Sequence, residues 1–203
     1  MIRIIRTSTV PVSLNTFCRG FLKDLQENEG YEVLVVSSPG KDLEEISERE
    51  GVKTYSVPME RHISPIKDLK SLWQLIKVFL KEKPDMVHSI TPKAGLLSMI
   101  AAWVCRVPVR LHTFTGLVFP TATGFKQKIL ILTDRITCAC ATHISPEGEG
   151  VKHDLIEYNI TKKPLKVLGY GNIRGIDLDY YNPDLPELKE KAEEIRKYFF
   201  PYH

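Results

Sequence analysis

Between Pro84 and Gly116 the chain reads PDMVHSITPKAGLLSMIAAWVCRVPVRLHTFTG, and few folds accept such a stretch. Met86–Ile90 and Val109–Thr113 have the character of strands, and Ala94–Cys105 between them is almost wholly apolar. A helix that is apolar on every side must be covered on every side, so this segment reads as a buried crossover between two buried parallel strands. Each strand ends in a knot of polar groups: His88, Ser89, Thr91 and Lys93 after the first, His112, Thr113, Thr115 and Gly116 after the second. Ligands of open α/β sheets collect beyond the carboxyl ends of the strands, and two polar knots at two such ends mark a candidate crevice.

The remaining chain supplies the other strands and helices. Ile2–Thr7 is a β-branched strand, and a helix is expected from about Thr16 to Gly30, with Phe17, Phe21, Leu22 and Leu25 at helical spacing. Glu32–Ser37 reads as a buried strand, Lys41–Glu50 as a charged helix closed by Gly51, and Val52–Val57 as a third strand. The βαβαβ order predicts a doubly wound parallel sheet. Ile66, Leu69, Leu72, Trp73, Ile76, Phe79 and Leu80 recur at helical spacing with Lys67, Lys70, Lys77 and Lys81 between them. They predict a helix packed on the sheet with a lysine-bearing outer face, capped by Ser64 ahead of Pro65. Helices at Phe125–Cys138 and Glu147–Tyr158, strands at Thr142–Ile144 and Leu165–Leu168, and a charged helix from Leu185 to Phe200 complete the reading.

Composition narrows the function classes. With 203 residues, 43% hydrophobic and 26% charged, the chain has the makeup of a globular protein with one sizeable core. A net charge of +3 unaccompanied by a helix-turn-helix or RNA-binding signature gives no reason to expect a nucleic-acid partner. The four cysteines lack CxxC spacing and are expected as reduced, core-type residues. IRIIRT at the N-terminus carries no signal-peptide core, so a cytoplasmic location is expected. The longest apolar run, Ala94–Val104, is about half of the roughly 20 residues that a membrane span needs.

Three further groups bear on the crevice. In TSTVPVSLN the strand-to-helix turn can offer backbone N–H groups to an anion, with Thr9, Ser13 and Asn15 as added donors, or these side chains can cap the helix start themselves. Lys93, at the start of the apolar helix, can join the helix amides in holding a phosphate. His88 and His112 are each as suited to a structural hydrogen bond as to a role in the site. The loop GYGNIRGID, with Gly171, Asn172 and Gly175, has the wrong spacing and context for a dinucleotide fingerprint and reads instead as a hinge lining the cleft.

TVPVSLNTF at Thr9–Phe17, PMERHISPIKDL at Pro58–Leu69, HSITPKAGLLSMIAA at His88–Ala102, RVPVRLHTFTGLVF at Arg106–Phe119 and GNIRGIDLDYYNP at Gly171–Pro183, in that order, carry a family resemblance. The chain resembles the N-terminal domain of family 4 glycosyltransferases of the GT-B fold, of the kind that extends lipid-linked oligosaccharides for capsule or O-antigen. The resemblance implies a Rossmann-like acceptor-binding domain over residues 1–170, a linker at 171–184, and a charged helix at 185–203 leading towards a donor-binding domain that is missing here. It implies retaining transfer from a nucleotide sugar, of UDP type, to an undecaprenyl-diphosphate saccharide, with no metal and with contact to the inner membrane face. Thr115 stands where many relatives have the histidine that meets the reacting sugar, leaving His112 and Thr115 as the catalytic candidates. Thr9, Ser13, Asn15, His88, Thr91, Lys93, Thr113 and Gly116 are then the acceptor or phosphate contacts. Two other readings remain: a binding subunit that recruits a donor-domain partner chain, and a stand-alone nucleotide-binding Rossmann enzyme.

Overall fold

Six strands form one all-parallel sheet: β1 (Arg3–Thr7), β2 (Glu32–Ser37), β3 (Lys53–Ser56), β4 (Met86–Ile90), β5 (Val109–Phe114) and β6 (His143–Pro146). Their order, β3-β2-β1-β4-β5-β6, reverses direction beside β1, which is the switch point of a doubly wound sheet. The computed structural model describes residues 1–172, 175, 182 and 184–199. The chain divides into two units, Met1–Ile173 and Arg174–His203.

Side chains alternate across the strands, and each face has its own core. Val33 and Val35 pack with Leu14, Cys18, Leu22, Leu43 and Ile46 from α1 (Pro11–Phe17), α2 (Phe21–Glu27) and α3 (Lys41–Glu50). Ile5, Leu34, Val36 and Val87 pack on the other face with residues of α4 (Pro65–Glu82), α5 (Pro92–Val104) and α6 (Gly124–Cys140). Leu155 of α7 (Glu149–Glu157) joins this second core. The expected all-round burial of α5 is nearly reached from Ala94 to Ala102, where Leu96 and Ile100 alone are half-buried, while Trp103 and Val104 at its end are exposed.

Four local expectations are corrected. The single helix from Thr16 to Gly30 is two helices: Pro11 starts the first, and Gly20, at φ 76°, breaks the chain before Phe21. Ser13 and Asn15 are therefore helical and not part of a loop. No strand forms at 165–168, because β6 ends the sheet and the chain runs past it without pairing. Ser64 makes no capping bond through its side chain; its N–H donates to Asp68 Oδ2 at 3.3 Å.

The fourth correction concerns α4. Only the stripe Ser71, Leu75, Phe79 and Glu82 is buried, whereas Ile66 (87% exposed), Leu69, Trp73 (57%) and Leu80 face outward. The apolar arc of this helix is wider than the sheet and α5 can cover. Its surplus forms a ridge beside Lys70 and Lys77, and the Lys77 ammonium lies 3.2 Å from the centre of the Trp73 ring.

In the second unit, α8 (Pro186–Phe199) is an amphipathic helix with Glu187 in its first turn and Arg196 and Lys197 in its last. These charges suit the helix dipole. Of the expected linker 171–184, residues 173, 174, 176–181 and 183 lie outside the described residues, as do 200–203 of the terminal segment.

Candidate functional site

The carboxyl ends of β1 and β4 are clipped together by threonines. Thr9 N–H donates to Thr91 Oγ1 at 3.0 Å, the two hydroxyls share a hydrogen bond of 2.9 Å, and Ala94 N–H donates to Thr9 Oγ1 at 3.1 Å. A side chain from the β1 loop thus caps the first turn of α5, satisfying an amide that an anion would otherwise meet. Thr91 sits at φ 69°, a conformation that a β-branched residue adopts only when its surroundings over-determine it. Two bonds to Thr9 and the Gly95 N–H donating to its carbonyl at 2.8 Å provide that.

Other expected contacts are directed elsewhere. Asn15 bridges α1 and α3, donating to Asp42 Oδ1 and Glu45 Oε2 at 2.8 and 3.0 Å while accepting from Arg49. Ser13, two residues earlier, donates its backbone N–H to Val10 O at 3.3 Å. The Lys93 ammonium donates to Asp68 Oδ2 at 2.5 Å and to the His62 carbonyl at 2.8 Å, tying the starts of α4 and α5 together. The anion that Lys93 holds in this structure is Asp68.

The two histidines fall on opposite faces of the sheet, since His88 pairs in register with Leu111 and His112 with Ser89. His112 is 1% exposed; its Nδ1 shares a 2.8 Å hydrogen bond with Ser89 Oγ, and its ring meets Phe114 edge-on at 4.5 Å. Burial pushes its pKa down to about 3, so the imidazole is neutral at physiological pH. It lies directly against Gly95, where an added Cβ would come within 2.4 Å of His112 Cε1. On the other face, Arg6 donates to His88 Nδ1, and His88 Nε2 lies 2.8 Å from Thr113 Oγ1. Burial, then the Arg6 charge, holds the His88 pKa well below its usual value.

Thr115 and Gly116 follow β5 and are half-buried, with Gly116 at φ 127°. Beside them Glu147 N–H donates to Phe114 O at 3.0 Å, and desolvation raises the Glu147 carboxyl pKa. Gly171 packs on this turn so closely that a Cβ would lie 2.8 Å from Glu147 O, and Asn172, at φ 67°, donates its N–H to the same carbonyl at 2.6 Å. Gly175, at φ 79°, belongs to the second unit.

Sequence reasoning passed over Arg6, Asp68 and Glu147. Arg6 had a readable signal, a cation in the middle of the buried run Ile4–Thr7, whereas Arg3 stands at the strand's start. Asp68 and Glu147 had none, because their positions depend on which helix ends meet. Among the described residues, the grouping with metal-ligand spacing is His153, Asp154 and Glu157 on α7, outside the residues expected for the site.

Comparison with known proteins gives the chain its family. The capsular polysaccharide biosynthesis glycosyltransferase CapM of Staphylococcus aureus is 38% identical over 178 residues, covering 87% of this chain and 46% of CapM. The UDP-Gal:alpha-D-GlcNAc-diphosphoundecaprenol alpha-1,3-galactosyltransferase of Escherichia coli is 30% identical over 183 residues, covering 88% of this chain and 46% of that protein. The chain spans about half the length of the curated relatives it matches. In fold it matches Anabaena HepE, solved with UDP and glucose, with a TM-score of 0.64 at 11% identity over 96% of this chain and 50% of HepE. This Rossmann-like sheet corresponds to half of a GT-B glycosyltransferase. Residues 14–171 match the model of the glycosyl transferase 4-like domain, and the chain belongs to that family.

Proposed function

We propose that this chain is the acceptor-side half of a retaining glycosyltransferase, which moves a sugar from a UDP-sugar to an undecaprenyl-diphosphate saccharide in surface polysaccharide assembly. The similarity to the E. coli enzyme, whose name specifies a diphosphoundecaprenol-linked acceptor, carries the reading. In the transfer, the bond from the anomeric carbon to the nucleotide diphosphate breaks and a bond from that carbon to an acceptor hydroxyl oxygen forms. The hydroxyl proton leaves with the diphosphate. Thr113, Thr115 and Gly116 face the reacting groups in this reading, while buried His112 acts through Ser89 and Gly95 as a positioning residue. The clip of Thr9 and Thr91 and the pair of Lys93 and Asp68 hold the strand ends in place.

Among the described residues no helix is long and apolar enough to cross a membrane. A lipid-linked acceptor nevertheless has to be met at a membrane, and the ridge of Ile66, Leu69 and Trp73 beside Lys70 and Lys77 has the chemistry of an anionic lipid surface contact. Calorimetric titration of the chain with a short-chain analogue of a diphosphoprenyl saccharide tests the acceptor assignment. Saturable binding at least tenfold tighter than that of a UDP-sugar is expected, and the reverse preference overturns it.

A further inference from the structure

Arg6 is 7% exposed, yet none of its hydrogen bonds goes to a carboxylate among the described residues. It reaches His88 Nδ1 and, at 3.5 Å, Cys18 Sγ, and its Nε is buried without a partner. A buried cation without a counter-ion is costly, and folds that keep one hold it for a reason beyond packing.

The chemistry of the three side chains fixes the sense of their bonds. Guanidinium has no acceptor, so His88 Nδ1 must accept; a neutral imidazole accepting at Nδ1 carries its hydrogen on Nε2. His88 Nε2–H therefore donates to Thr113 Oγ1, 2.8 Å away. With its oxygen used as the acceptor, the Thr113 hydroxyl has its own hydrogen left to give, and no acceptor for it exists among the described residues. Thr113, buried at 6% exposure, lies one residue before the end of β5, at the carboxyl end of the sheet where the crevice is expected. Register places all three on one face of the sheet: Arg6 pairs with His88, and Thr113 lies two residues beyond the Leu111 partner of His88.

We infer that Arg6, His88 and Thr113 are a donor relay of fixed direction, which carries the polarisation of a buried guanidinium to the Thr113 hydroxyl and presents that hydrogen to an anionic oxygen of the phosphate class. Hydrogen bonds in such a chain strengthen one another, so Thr113 is a stronger donor than an isolated threonine. A bound phosphate oxygen also supplies the negative charge that Arg6 lacks. Arg6 and His88 are positioning residues, and Thr113 is the group that touches the ligand. The identity of the ligand rests on the proposed function; the relay does not.

Two measurements on the chain test this. Nitrogen-15 NMR of the histidine rings should find His88 neutral with hydrogen on Nε2 at pH 7, and a hydrogen on Nδ1 overturns the relay. Titration with inorganic pyrophosphate should show Thr113→Val binding about tenfold more weakly and Thr113→Ser within about twofold of the unmodified chain. Arg6→Met should lose about as much as Thr113→Val without touching the ligand, whereas a purely structural arginine would lower the unfolding midpoint and leave pyrophosphate affinity unchanged. If Arg6→Met does not fold, His88→Gln, which can still accept and donate, should keep the affinity that His88→Leu loses. Undiminished binding by Thr113→Val, or no binding by the unmodified chain, overturns the anionic ligand. A parallel UDP titration separates the sources: a preference for UDP above tenfold moves the site to the donor and sinks the acceptor-side reading while the relay stands.

Discussion

Gly95 and His112 show how one missing side chain can hold another in place. Alanine in a helix interior is ordinarily better than glycine by about 1 kcal/mol. At position 95, however, the new Cβ would lie 2.4 Å from Cε1 and 2.8 Å from Nδ1 of a fully buried ring that has no room to yield. Overpacking of this kind costs roughly 1–3 kcal/mol, so Gly95→Ala should lower stability on urea unfolding despite its better helix propensity. Buried titrating groups act in opposition, with His88 and His112 on one side and Asp134 on the other. His112 has a folded pKa of about 3 against the usual 6.5, so the unfolded chain binds the extra proton and stability is lost as pH falls from about 6.5 towards 3. Asp134, pushed up to about 7 by burial, binds its proton in the fold, so its contribution is lost as pH rises from about 4 to 7. Between pH 4 and 6.5 the Asp134 slope offsets part of the combined slope of His112 and His88, whose lowered pKa acts in the same sense as that of His112. Asp134→Asn should therefore steepen the rise of the urea midpoint with pH and stabilise the chain at pH 8 by roughly 2–4 kcal/mol; a flatter profile would contradict this. The residue scale is also where the sequence was least legible. It placed Asn15 in a loop where the chain is helical, and the partners of Lys93 and Asn15, Asp68 from α4 and Arg49 from α3, are set by tertiary contacts that spacing does not encode.

At the scale of elements the sequence was far more legible, because buried parallel strands and an all-apolar crossover leave little choice of architecture. What escaped it were boundaries decided by geometry. Pro11 starts a helix earlier than the apolar spacing implied, Gly20 splits it, and 165–168 has strand composition but no strand beside it to pair with. In α4 the apolar period was read correctly and its direction was not, since period alone does not say how much of a wide arc the sheet will cover. The two sides of this helix should respond differently. Leu75→Ala or Phe79→Ala should cost about 2–5 kcal/mol, whereas Ile66→Ser and Leu69→Ser together should stay within about 0.5 kcal/mol per site on unfolding. The same double substitution should abolish co-sedimentation with vesicles containing phosphatidylglycerol; unchanged sedimentation would show that the ridge does not meet lipid.

For the molecule as a whole, the controlling quantity is orientation. In the proposed reading, transfer between two bound substrates depends on holding them in one geometry, and the strand ends of this sheet supply one side of that arrangement. Incubated with a UDP-sugar and a lipid-linked acceptor, the chain should give no turnover above the uncatalysed background, and robust turnover would refute its assignment to the acceptor side alone.

The strand order has a consequence for synthesis. β1 is made first, but it lies between β2 and β4, and its second partner, Met86–Ile90, follows about eighty residues later. At roughly 5–20 residues per second, the edge of Ile4 and Ile5 stays open for about 4–16 s on the ribosome, a template for any passing strand. Thr9 must likewise wait for Thr91 and Ala94 before its hydroxyl has a partner. The centre of the finished sheet therefore closes only after β2 and β3 have been added on its other side, and chains truncated before Ile90 should show the open edge as aggregation during expression.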